Sequence, residues 1–225
     1  MRVNLFINFY QDKDLNRQKE LLICVLSNIL NSQIDSVHVL VANKDIDEFM
    51  IFADKVPKQF QYKITIHPFE KRPTYNDYFK FTESYTEDIN IIANKDMIMD
   101  TVSVEKLKNF NWKNYCIALS RWDFINHNIN SDEAVLFNRA DSQDTWILKG
   151  SFPQLNNVDF GLGIAGCDNA IAERLSHYFE VINPSIDIKT YHYHISQVRN
   201  YLNANNLPKY TVSKPYKLVP PIKLP

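Results

Sequence analysis

The sequence predicts an α/β domain with a mostly parallel central sheet flanked by helices. Short apolar runs alternate with amphipathic segments of helix length, the rhythm of βαβ units. One run, Ile89–Ala93 (INIIA), is almost wholly apolar, as in a parallel strand covered on both faces. At 225 residues and 45% hydrophobic, the chain can bury one large core.

Arg2–Phe9 (RVNLFINF) reads as the first strand. It turns polar soon afterwards and has no small-residue cleavage site, so it is not read as a signal peptide. Asp14–Asn31 follows as a helix, with Leu22, Val25, Leu26 and Ile29 at helical spacing. Ser36–Ala42 is a second strand, Ile46–Ala53 a short helix and Gln61–His67 an alternating third strand. A helix over Thr74–Tyr85 follows the Arg72-Pro73 break. After INIIA come a helix at Thr101–Phe110 and a strand at Tyr115–Ser120. Trp122–Arg139 reads as irregular and Thr145–Lys149 (TWILK) as a strand. A helix at Asp168–Phe179, short strands at Val181–Ile182 and Lys189–His194, and a last helix at Val198–Asn205 complete the pattern. Residues 1–207 form one domain, with 1–90 and 91–207 as its halves.

Composition narrows the function. Cys24, Cys116 and Cys167 form no C-x-x-C pair, which points away from zinc and disulfides and toward a cytoplasmic setting. No run approaches the ~20 apolar residues of a membrane span. Residues 208–225 form a basic, proline-rich arm with four lysines and no acid. Removing those charges from the net −1 leaves a mildly acidic body, which argues against broad nucleic-acid binding by the domain itself. The absence of G-x-x-x-x-G-K-[ST], G-x-G-x-x-G and G-x-S-x-G counts against a P-loop enzyme, a Rossmann dehydrogenase and an α/β-hydrolase.

The candidate chemistry gathers at strand ends, where ligands bind in open α/β sheets. Asn94-Lys95-Asp96 follows INIIA, and Asp96 is a hard oxygen donor suited to a divalent ion. Asp100 reads as a helix cap more than as a second ligand. His192 and His194 fall on one face of a strand and can present imidazoles together. Arg121, Trp122 and Asp123 follow the fifth strand, Asp144 precedes TWILK, and Arg72 and Asn76 follow the third. All four glycines, Gly150, Gly161, Gly163 and Gly166, fall in one window that leads into Asp168. Position alone suits Asp168 to capping a helix or to acting as a base.

In this order, IIANKDMIMD, ALSRWD, DSQDTWILKG, GCDNAIAERL and INPSIDIKTYHYHIS resemble the GT-A glycosyltransferases, the nucleotide-diphospho-sugar transferases. The resemblance spans roughly the second half of the chain. It implies a single GT-A-like (Rossmann-like) domain that moves a sugar from a UDP- or other NDP-sugar to an acceptor hydroxyl, with inversion and Mn²⁺ or Mg²⁺. Asn94 and Asp96 would stand at the family's D-x-D, the first acid replaced by Asn. Asp168 would be the base, and Asp96, His192 and His194 the metal ligands. Arg72 and Asn76 would contact the nucleotide, and Arg121, Trp122 and Asp144 the sugar or acceptor. The expected acceptor is a glycan or polysaccharide precursor. The alternatives are a hydroxymethylated base in DNA, reached through the basic arm, and a catalytically degenerate sugar-nucleotide binder.

Overall fold

A computed structural model describes residues 1–125, 133–196 and 207–225. The main sheet has seven strands in the order β10-β6-β9-β4-β1-β2-β3. They are β1 (Val3–Phe9), β2 (Ser36–Ala42), β3 (Ile64–Phe69), β4 (Ile89–Ala93), β6 (Tyr115–Leu119), β9 (Thr145–Lys149) and β10 (Glu180–Ile182). Only β9 runs antiparallel, wedged between β4 and β6. The expected mostly parallel sheet is therefore present.

Its central strands are buried on both faces, and alternate residues feed two cores. Val3, Leu5, Ile7 and Phe9 pack with Val25 and Ile29 of α1 (Leu15–Leu30), Phe49 of α2 (Ile46–Ala53) and Leu107 of α5 (Thr101–Lys108). Phe6, Leu40, Ile92 and Trp146 face the opposite core, with Phe79 of α4 (Tyr75–Thr82) and Ile171 of α6 (Cys167–Leu175). The period-two side-chain alternation of a strand produces this three-layer arrangement. Burying each large apolar side chain contributes about 1.5–3 kcal/mol.

Several expectations shift. The third strand begins at Ile64, because Pro57 opens a short helix, α3 (Lys58–Gln61), over the residues expected to start it. Pro68 sits in that strand at little cost, since β3 lies at the sheet edge. The helices expected to reach Tyr85 and Phe179 end at Thr82 and Leu175. The segment read as irregular carries β7 (Trp122–Phe124) and β8 (Ala134–Leu136). With β5 (Met97–Met99) and β11 (Thr190–His192) these form a second sheet, β5-β11-β7-β8, which three-residue strands could not announce by periodicity. The helix expected at 198–205 lies outside the described residues.

Two connections position the site. Helix α1 runs beside β5, where Asn28 donates to the Met97 carbonyl (2.8 Å) and accepts from the Met99 amide (2.9 Å), and Asn31 donates to the Met99 carbonyl (2.9 Å). These side chains satisfy an otherwise open strand edge. The arm is fastened to the body: Val212 N donates to Ala165 O, Lys217 N to Asn169 O and Val219 N to Ala140 O, at 2.8–3.0 Å. It thereby joins the loop before Asp144 to the loop that carries Asp168.

Candidate functional site

A cleft of about 510 Å³ opens beyond the carboxyl ends of β1, β4 and β6. It is lined by Tyr10 and Asp12 after β1, Asn94–Asp96 after β4, Arg121 after β6, and Asp144 at the start of antiparallel β9. Arg17, Arg72, Arg139, Asp141, Asp168, His192 and His194 add to its titratable lining. Asn76 and Trp122, expected at the ligand, do not line it. Asn76 donates to Asp159 (3.2 Å), while the Trp122 indole donates to Ser185 O (2.8 Å) and its ring lies under Lys189.

Asp96 sits at the centre of one cluster. His192 Nε2 lies 3.4 Å from its carboxylate, while His192 Nδ1 is 2.9 Å from Asp123. Arg17 Nη2 donates to the same Asp96 oxygen and Arg17 Nη1 pairs with Glu20 at 2.9 Å. Burial alone would raise the Asp96 carboxyl, but His192 and Arg17 outweigh it and hold it well below the usual carboxylate range. Burial likewise pulls His192 down, yet its hydrogen bonds to Asp123 and Asp96 raise it to about 9. His194 is lowered to about 4 by burial and by the nearby charges of Arg17 and His192. It is therefore a neutral imidazole near pH 7, and its buried Nε2 has no hydrogen-bond partner among the described residues.

Asp96, His192 and His194 each offer a donor atom within 4.8 Å of the others. The orphaned Nε2 fits a bound cation, since a buried polar atom otherwise finds a partner. One carboxylate with two imidazoles suits a transition ion such as Mn²⁺ better than Mg²⁺, which prefers oxygen. Asn94 is turned elsewhere: its Nδ2 donates to Asp144 at 2.8 Å. Asp100 caps α5 by accepting from the Ser103 amide at 2.8 Å, so it is not a ligand.

The second cluster is built on Asp144 and Asp168. Arg121 donates to Asp144 (3.1 Å) and to Asp123 (3.0 Å), which links the two clusters into one charged chain. Asp168 lies in the first turn of α6 but does not cap it; the cap is Gly166, at φ 78°. Burial raises the Asp168 carboxyl, the Asp144 charge raises it further, and only the Cys167 thiol, 3.1 Å away, and weaker contacts oppose this.

The glycines answer to neighbours. Arg72 donates to the Leu162 carbonyl, and a Cβ at Gly161 would meet Arg72 Nε at 2.9 Å. At Gly166, a Cβ would lie 2.6 Å from the Tyr216 hydroxyl of the arm. Close approach favours glycine at both positions, and at Gly166 the positive φ of 78° adds turn geometry.

Sequence reading missed Arg17, Tyr10 and Lys95. Lys95 Nζ lies over the Tyr10 ring, 2.8 Å from its centroid, and burial lowers its pKa to about 6. The available signal was on α1. Arg17, Leu21, Cys24 and Asn28 recur at helical spacing and form its buried stripe, rotated from the one expected. Asp14 accepts from the Asn16 and Arg17 amides at 2.9 Å, which starts the helix where Arg17 meets Asp96.

No family model matches the chain, and no curated protein matches it significantly. Solved structures do resemble it. The mannosyltransferase PcManGT from Pyrobaculum calidifontis, in complex with GDP-Man and Mn²⁺, matches 87% of this chain and 58% of its own, at 12% identity and a TM-score of 0.53. S. aureus TarS 1-349 matches 85% of this chain and 60% of its own, at 9% identity and a TM-score of 0.50. The chain thus spans less than two thirds of either. It shares with them the GT-A-like (Rossmann-like) α/β fold, a mostly parallel sheet flanked by helices. Among the described residues, no helix is long and apolar enough to cross a membrane.

Proposed function

We propose that this chain is a glycosyltransferase that moves a sugar from a nucleoside-diphosphate donor to an acceptor hydroxyl with inversion at the anomeric carbon. The observation that carries the reading is that the Asp96–His192–His194 cluster and the basic carboxylate Asp168 line one cleft at the sheet's carboxyl edge. The fold shared with a structure that holds GDP-Man and Mn²⁺ supports the donor class.

Asp96, His192 and His194 would hold the divalent ion, which when bound supplies a Lewis acid for charge on a departing diphosphate. Arg72, fixed against the 161–163 loop, offers a guanidinium suited to phosphate oxygens. Asp168 takes the proton from the attacking hydroxyl; its raised basicity makes it an effective acceptor. Asp144, held by Arg121 and Asn94, is the neighbouring carboxylate that keeps Asp168 basic. One positioned base suits single displacement, hence inversion.

A glycan hydroxyl is the acceptor favoured over a DNA base, because the basic arm is tied along the body instead of hanging free to follow a duplex. A catalytically degenerate sugar-nucleotide binder is the alternative, since Asn94 donates to Asp144 and brings no carboxylate to the ion.

The test is a screen of nucleotide sugars with Mn²⁺ for hydrolysis and transfer. Asp168→Asn should lower turnover about 10²–10⁴-fold while sparing donor binding. Asp96→Ala should weaken donor binding and turnover together. Full activity in Asp168→Asn would remove the base assignment, and binding without turnover in the wild type would sink the enzyme reading.

A further inference from the structure

Arg17 has no role in the mechanism above, yet it is among the most deeply buried charges in the cleft. Its side chain is 8% exposed, between Glu20 at 6% and Asp96 at 17%. The two carboxylates hold it differently. Glu20 is committed on several sides: it also accepts from the amides of Ile195 (3.1 Å) and Ser196 (2.7 Å) and from the Ser196 hydroxyl (3.1 Å). Asp96 faces the cleft and is the carboxylate of the candidate ion site.

A divalent ion on Asp96 would therefore meet a guanidinium already donating to the same carboxylate. In a site shielded from water, that repulsion is strong. Asn94 brings no second carboxylate to offset it and is turned toward Asp144. Binding the ion while Arg17 stays on Asp96 leaves excess positive charge. A diphosphate resolves this, because its oxygens ligate the ion and also accept from a guanidinium fork.

We propose that Arg17 is the exchangeable counter-cation of Asp96: anchored by Glu20, it transfers from Asp96 to the donor diphosphate, so a divalent ion binds tightly only together with that diphosphate. This rests on the donor reading above and assigns to α1 a phosphate-binding side chain. Glu20 also ties Arg17 to the backbone just after His194, so the same exchange bears on the histidine side of the site.

The experiment titrates Mn²⁺ into the full chain, following the electron paramagnetic resonance signal of the free ion, alone and with UDP, GDP, ADP, CDP or dTDP. Binding of each diphosphate is measured separately in EDTA. The wild type should hold Mn²⁺ about tenfold or more weakly without diphosphate than with it. Arg17→Met should tighten Mn²⁺ binding in the absence of diphosphate and weaken diphosphate binding in EDTA, which together shrink the coupling. Arg17→Lys, retaining charge without the fork, should fall between. Because Arg17→Met strands the Glu20 charge, the double variant Arg17→Met/Glu20→Gln provides a second reading, with folding checked by circular dichroism. Equal Mn²⁺ affinity with and without diphosphate in the wild type would overturn the proposal. So would weaker Mn²⁺ binding in folded Arg17→Met. Either result leaves the donor reading standing, whereas no binding of UDP, GDP, ADP, CDP or dTDP to the wild type, with or without Mn²⁺, would refute both.

Discussion

Asp96 and Asp168 line the same cleft as partly buried carboxylates, yet their surroundings drive them in opposite directions. Burial raises both. At Asp96, His192 and Arg17 overcome it and keep the group ionised far into acid. At Asp168, burial is joined by the like charge of Asp144, while Arg121, the nearest cation that could compensate, is spent on Asp144 and Asp123. Two identical side chains thus become a permanent anion, suited to holding cations, and a base, suited to taking protons. The neighbours divide these labours, not the residues themselves.

The comparison breaks most visibly in the pH profile. On the proposed mechanism turnover needs Asp168 deprotonated, so it should fall with decreasing pH through a limb above the ordinary carboxylate range. Asp144→Asn removes the like charge, lowers the Asp168 pKa, and should move that limb toward acid. Rate–pH profiles of wild type and variant check this; an unmoved limb would mean that Asp144 does not set the basicity of Asp168.

A smaller effect tests Asn94. Asn94→Asp restores the acid expected of a D-x-D, but it places a carboxylate where a 2.8 Å donor to Asp144 now stands. It should leave Mn²⁺ affinity no better and cost about 1–3 kcal/mol of stability, read by chemical denaturation. Tighter Mn²⁺ binding would show that position 94 reaches the ion after all.

The mildest effect lies away from the cleft and sharpens the contrast. His38 on β2 stacks on Phe6 (4.5 Å between centroids) and meets His67 at 3.1 Å. Burial, then the His67 charge, lowers its pKa from 6.5 to about 4. A depressed folded-state histidine binds fewer protons than the unfolded chain, so its contribution is intact above pH 6.5 and is lost as pH falls toward 4. Denaturation midpoints across that window should show the loss, and His38→Phe should flatten it without moving the Asp168 limb of the rate profile.

Much of this was legible locally. INIIA announced a central strand because both of its faces are covered, and the residues after it necessarily reach the ligand edge of the sheet. That rule and the spacing singled out Asp96, Asp168, His192 and His194, and the four line one cleft. Trp122 and Asn76 were misplaced, because sequence position puts a residue near a strand end without fixing which way its side chain turns. Trp122 went to Ser185 and the second sheet, whose three-residue strands carry too few positions to show a period.

The sequence by itself determined the layered α/β fold, since strand and helix periods are written in neighbouring residues. It also determined which acids and histidines stand at strand ends. The tertiary structure alone decided the pairings: Arg17 with Asp96 across 79 positions, His192 with Asp123 across 69, and the arm with the two carboxylate loops. Charge state follows from those pairings, because Coulomb energy depends on distance in space and on burial, and neither is a property of the chain order.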